Sequence, residues 1–195
     1  MRIVTFVAVL FLLPAVAAAQ SPGHRPASPY AGQQARPIKS LSDEDIAELR
    51  RGGGWGLAKA AELNGYPGPA HVLEHADALG LTEAQRAAIR AIFAKMEADA
   101  IAEGGRLLSL EEALEADFAN RTVTPDSLAR RVAAIAESLG RLRGIHLATH
   151  LSTPEHLTPA QVARYDALRG YKADPCAAVP AGHDAAMWRR HNGCR

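Results

Sequence analysis

Apolar residues recur at helical spacing along most of the chain, and no stretch alternates apolar and polar positions long enough to predict a strand. From Thr82 to about Asn120 there is no proline, and Ile89, Ile92, Phe93, Met96, Ala100, Leu107, Leu110, Leu114 and Phe118 trace the stripe of one long helix. "NRTVTP" ends it. Thr124 followed by Pro125 is then a helix-start signal, because proline lacks an amide hydrogen that the first turn would leave unbonded anyway. Leu128, Val132, Ile135, Leu139, Leu142, His146 and Thr149 follow in alternating steps of four and three. Two long helices joined by so short a break predict an antiparallel hairpin. Gly104 and Gly105 each cost about 1 kcal/mol relative to alanine inside its first arm, so they predict a bend or a close helix crossing.

Shorter elements flank the hairpin. "LSDEDIAELRRGGG" offers Ser42 as N-cap, acids in the first turn and arginines in the last, which predicts a short helix ended by glycines. "WGLAKAAEL" predicts a second, stopped by the turn formers of "NGYPGP", and "AHVLEHADALG" a third. After the hairpin "STPEH" interrupts, and "LTPAQVARYDALRG" predicts a final helix with Gly170 as its C-cap. Arg2 and the apolar run "IVTFVAVLFLLPAVAAA" have the layout of a secretory signal peptide cleaved after Ala19. The expected organisation is a signal at 1–19, a flexible Pro/Ser/Gly/Gln linker at 20–40, a helical domain at 41–171 and a loosely structured tail at 172–195. The fold class is all-α: a long antiparallel hairpin with short flanking helices.

Composition changes this picture in three places. With 22 Lys plus Arg against 21 Asp plus Glu, and Arg2 the only charge in the signal, the mature balance is zero, which gives no bulk attraction to nucleic acid or anionic membrane. No apolar stretch beyond the signal approaches a membrane span, so stable insertion is not expected. Aromatic residues make up only 5%, which predicts thin helical packing that an elongated hairpin or a dimer would accommodate. The two cysteines, Cys176 and Cys194, lie in the tail, where export permits a disulfide between them. With His183 and His191 they also make a four-residue zinc set, but the spacing matches no familiar ligand pattern.

"LTEAQ" and "LTPAQ" repeat one phrase. In each, a threonine N-cap (Thr82, Thr158) and a glutamine at the third helical position (Gln85, Gln161) can satisfy each other's free amide hydrogens, with Leu81 or Leu157 in front. Two Leu-Thr-x-x-Gln phrases, one opening a long helix and one following a hairpin, resemble the Spy/CpxP family of periplasmic stress proteins, whose wider superfamily includes ZraP and the metal sensor CnrX. The resemblance covers roughly residues 68–171. It implies a periplasmic helical hairpin that pairs into a curved homodimer without an enzymatic site. Spy-like members are chaperones for unfolded clients, and CpxP-like members restrain a membrane sensor kinase. CnrX-like members hold a transition metal with histidines, a carboxylate and a methionine.

His71 and His75 are four residues apart, and so are His146 and His150, so each pair can present its rings on one helical face. That geometry suits zinc, nickel, cobalt or copper. Counting back along the hairpin arms sets His146 beside Met96, Glu97 and Asp99, so the expected site is His71, His75, His146 and His150 with Glu97 as carboxylate. Where the sensor has its methionine this chain has His150. The bland reading is that His146 sits in the core stripe as a neutral, hydrogen-bonded histidine.

"HVLEH" also spells the inverted zinc-peptidase signature, with Glu155 as a conceivable third ligand, but such peptidases resemble mixed α/β domains and this sequence predicts no strands. Neither a phosphate loop nor a nucleophile elbow is present. What the resemblance implies is a non-enzymatic chaperone or adaptor of the envelope-stress response, requiring no cofactor and binding unfolded clients or a sensor partner. The alternative is a heavy-metal sensor or buffer of the same fold.

Overall fold

The computed structural model describes residues 28–173, 176–192 and 194, and among them every regular element is helical. The expected signal peptide lies outside the described residues. The chain divides into two compact units, 1–34 and 35–195. In the first, the described residues make tight turns, with the Ala31 amide on the Ser28 carbonyl at 2.9 Å. The second carries α1 (Asp43–Arg50), α2 (Lys59–Glu62), α3 (Pro69–Glu74), α4 (Glu83–Ala119), α5 (Pro125–Ser152), α6 (Pro159–Leu168) and α7 (Ala185–His191), with a 3-10 turn at Thr153–His156.

The predicted hairpin is α4 and α5. Asn120 caps α4, Arg121 takes a positive φ of 56° in the turn, and Thr124 opens α5 by exchanging bonds with Ser127. Polar rungs set the register between the arms: Arg131 to Asp117 at 2.9 Å, and Ser138 and Arg141 to Glu103 at 2.5 and 3.2 Å.

Gly104 is the predicted close crossing. A Cβ there would lie 2.4 Å from the Leu49 carbonyl oxygen, so only glycine lets α1 press against α4. Gly105 faces open space. Ile38, Leu41, Ile46 and Leu49 meet Ala100, Leu107, Leu108 and Leu142 in one core. Ile38 belongs to the stretch expected as linker, and Lys39 beside it pairs with Glu115 on α4 at 2.6 Å. Near the turn the stripe is uncovered: Phe118 is 53% exposed and Val132 51%, with Leu128 and Leu139 also exposed. Two helices alone bury only the seam between them.

The second core joins Val72, Ala76, Leu79 and Leu81 to Ile89 and Tyr165. Both capping boxes form as predicted. They also meet, because Gln85 Nε2 donates to Gln161 Oε1 at 2.9 Å and Gln161 Nε2 to Gln85 Oε1 at 3.2 Å. The spare hydrogens go to the carbonyls of His156 (2.8 Å) and Leu79 (3.4 Å). The repeated phrase is thus a contact as well as a stop sign. In the tail, expected to be loose, Asp184 caps α7 and Cys176 is disulfide-bonded to Cys194 with an S–S length of 2.06 Å.

Candidate functional site

A cavity of about 550 Å³ lies at the open end of the hairpin, walled by α2, α3, α4, α5 and the end of α6. His71, His146 and His150 line it together with Glu62, Met96 and Glu97. His75 does not line it; this residue caps the C-terminal end of α3, its amide on the His71 carbonyl at 3.1 Å.

The one-turn spacing on α5 sets His146 and His150 side by side, 3% and 8% exposed. Gly68 brings the "NGYPGP" turn onto the second ring, since a Cβ there would stand 2.6 Å from its Cε1 and Nε2. His150 Nδ1 is 2.6 Å from the Tyr66 carbonyl oxygen. A carbonyl can only accept, so Nδ1 carries the proton. His146 Nε2 is buried and has no hydrogen-bond partner.

Glu62 sits among these rings, 8% exposed. Its Oε1 accepts the hydroxyls of Tyr165 and, at 3.0 Å, Tyr171, while Oε2 is buried without a hydrogen bond. His71 Nδ1 lies 3.6 Å from Oε1, Arg169 Nε 3.5 Å from Oε1 and His150 Nδ1 3.7 Å from Oε2. Burial holds the His146 imidazole below its ordinary value, helped by His150. His71 is lowered by burial and then by the Arg169 cation, against the raising effect of Glu62 and Glu74. Burial and the Glu62 carboxylate push the Tyr165 hydroxyl up, so it remains a donor.

Imidazoles beside a buried carboxylate can ligate a borderline metal ion. Among the described residues, no three His, Cys, Asp or Glu side chains already surround one point as metal ligands. The structure therefore brings together His71, His146 and His150, leaves His75 aside and places Glu97 half-buried in the wall. Glu62 was not legible beforehand, because α2 has only four residues, too few to show a buried face. The disulfide uses both thiols, so the tail has no thiolate to offer zinc.

No protein-family profile matches the chain, and neither does any curated protein or solved structure.

Proposed function

We propose that this chain is a non-enzymatic, Spy/CpxP-like protein of the periplasm that binds a divalent transition metal at the open end of its hairpin, in the manner of a sensor or buffer. The observation that carries this reading is His146 Nε2, a buried ring nitrogen with no partner, in one cavity with His71 and His150. An unanswered buried polar atom costs roughly 1–3 kcal/mol, and a metal ion would answer it. The Nδ1–H of His150 on the Tyr66 carbonyl is the kind of support that orients an imidazole ligand. The bound ion would supply charge and bonds between helices, and the residues hold and orient it.

Titration calorimetry of the chelator-treated chain with zinc, nickel, cobalt and copper tests this. At least one should bind at micromolar Kd or tighter, with a loss of about tenfold or more on His146→Ala, His150→Ala or His71→Ala, and little change on His75→Ala. Equal binding by wild type and the triple variant, or none by wild type, would end the proposal.

The chaperone or adaptor reading is favoured by a separate observation, the exposed apolar stripe of Phe118, Leu128, Val132 and Leu139 near the turn. Such a patch suits an unfolded client, a sensor domain or the partner of a homodimer. Light scattering from a heat-denatured client should fall at stoichiometric protein, and Phe118→Ser with Val132→Ser should abolish the effect.

A further inference from the structure

We propose that Glu62 is the carboxylate of this metal site and that Tyr165 and Tyr171 position it, so that metal occupancy and docking of the chain after α6 stabilise each other. The inference rests on the metal-binding reading above and adds a ligand, its supports and a consequence for the C-terminal segment.

A carboxylate 8% exposed should use both oxygens. Glu62 uses one. Tyr165 and Tyr171 both donate to Oε1, which fixes the plane of the group, while Oε2 is buried without a hydrogen bond. That division of labour is what a ligating carboxylate needs: one oxygen held by outer partners and the other free for the ion. The separation of 3.6 Å from His71 Nδ1 to Oε1 is too long for a hydrogen bond. It lies on the side of the oxygen that the tyrosines hold, so the free Oε2 faces the cavity that His146 Nε2, also without a partner, shares. The nitrogen of His150 that lies 3.7 Å from Oε2 is Nδ1, whose proton goes to the Tyr66 carbonyl, so it leaves Oε2 unanswered. Glu97 is the weaker candidate, since it is only half-buried in the same wall.

Arg169, 3.5 Å from Oε1, is the charge that balances Glu62 in the metal-free protein. A dication takes over that role, so the guanidinium opposes binding. Tyr165 is wholly buried on α6, whereas Tyr171 lies beyond its end, where its amide and that of Lys172 bond to the Asp166 carbonyl at 2.8 and 3.3 Å. An ion that locks Glu62 in place therefore strengthens the anchor of the segment leading into the tail, and by linkage that anchor strengthens the ion's hold.

The test uses the full mature chain with zinc and cobalt chlorides as probes. Tyr171→Phe should weaken zinc by about tenfold or more, and Arg169→Gln should tighten it. Glu62→Gln should weaken zinc and change the visible bands of the cobalt form, which report the ligand set. Zinc should slow amide exchange at Tyr171 and Lys172 at least threefold. A purely structural cluster would not move affinity in opposite directions at Tyr171 and Arg169. If Tyr171→Phe and Glu62→Gln bind zinc like wild type while His146→Ala does not, the inference is overturned and the metal reading survives. If wild type binds neither ion, both fall.

Discussion

Gln85 and Gln161 each spend one amide group on two tasks. The oxygen closes a capping box, Gln85 Oε1 on the Thr82 amide and Gln161 Oε1 on the Thr158 amide, both at 2.9 Å. The nitrogen reaches across to the other glutamine and to a carbonyl. Gln85→Ala should therefore cost about 1–3 kcal/mol in urea denaturation, for a lost cap and for partners left unpaired. Gln85→Glu separates the two tasks, since a carboxylate closes the box but cannot donate to Gln161 or His156. Wild-type stability in that variant would mean that the cross-link contributes nothing. The box was legible because its atoms lie three residues apart. The pairing was not, since it joins positions 76 residues apart in sequence.

Helices α4 and α5 were legible nearly to the residue, because their stripes, caps and breaking "NRTVTP" are all local signals. What packs on them was not. The adjacent glycines of α4 look alike in sequence, yet Gly104 takes the Leu49 backbone and Gly105 takes solvent. Gly105→Ala should raise stability by about 0.5–1 kcal/mol through helix propensity. Gly104→Ala should lower it, because a Cβ 2.4 Å from a carbonyl oxygen must push α1 aside and open the Leu49–Leu107 core. Denaturation of the two single variants checks the pair, and equal shifts of the same sign would contradict the crossing. Of the α4 stripe, Leu107 is core and Phe118 is exposed, because α1 packs at Gly104, well short of the turn.

Over the whole molecule, two histidines of the cavity, His146 buried and His71 partly exposed, tie stability to pH. Those at 71 and 146 titrate below their ordinary value of 6.5 in the folded chain. As pH falls through 6.5 the unfolded chain takes up protons that the folded chain refuses, so acid favours unfolding. His146 faces His150, and His71 faces Arg169, Glu62, Glu74 and His150, so cationic neighbours work in the same direction while the two carboxylates oppose it. In chelator-treated protein the urea midpoint should drop from pH 7.5 to 5.5, and His146→Leu should flatten the drop. A midpoint that rises on acidification would contradict the burial. Helix type, start and stop follow from the sequence itself, because capping, proline geometry and apolar period act within one or two turns of chain. His71, His146 and His150 could be suspected from their spacing, but spacing could not separate His71, which lines the cavity, from His75, which does not. Only the tertiary structure decided that, and only it supplied Glu62, because a site joining α2, α3, α5 and α6 depends on which faces meet, and that is settled by packing between distant segments.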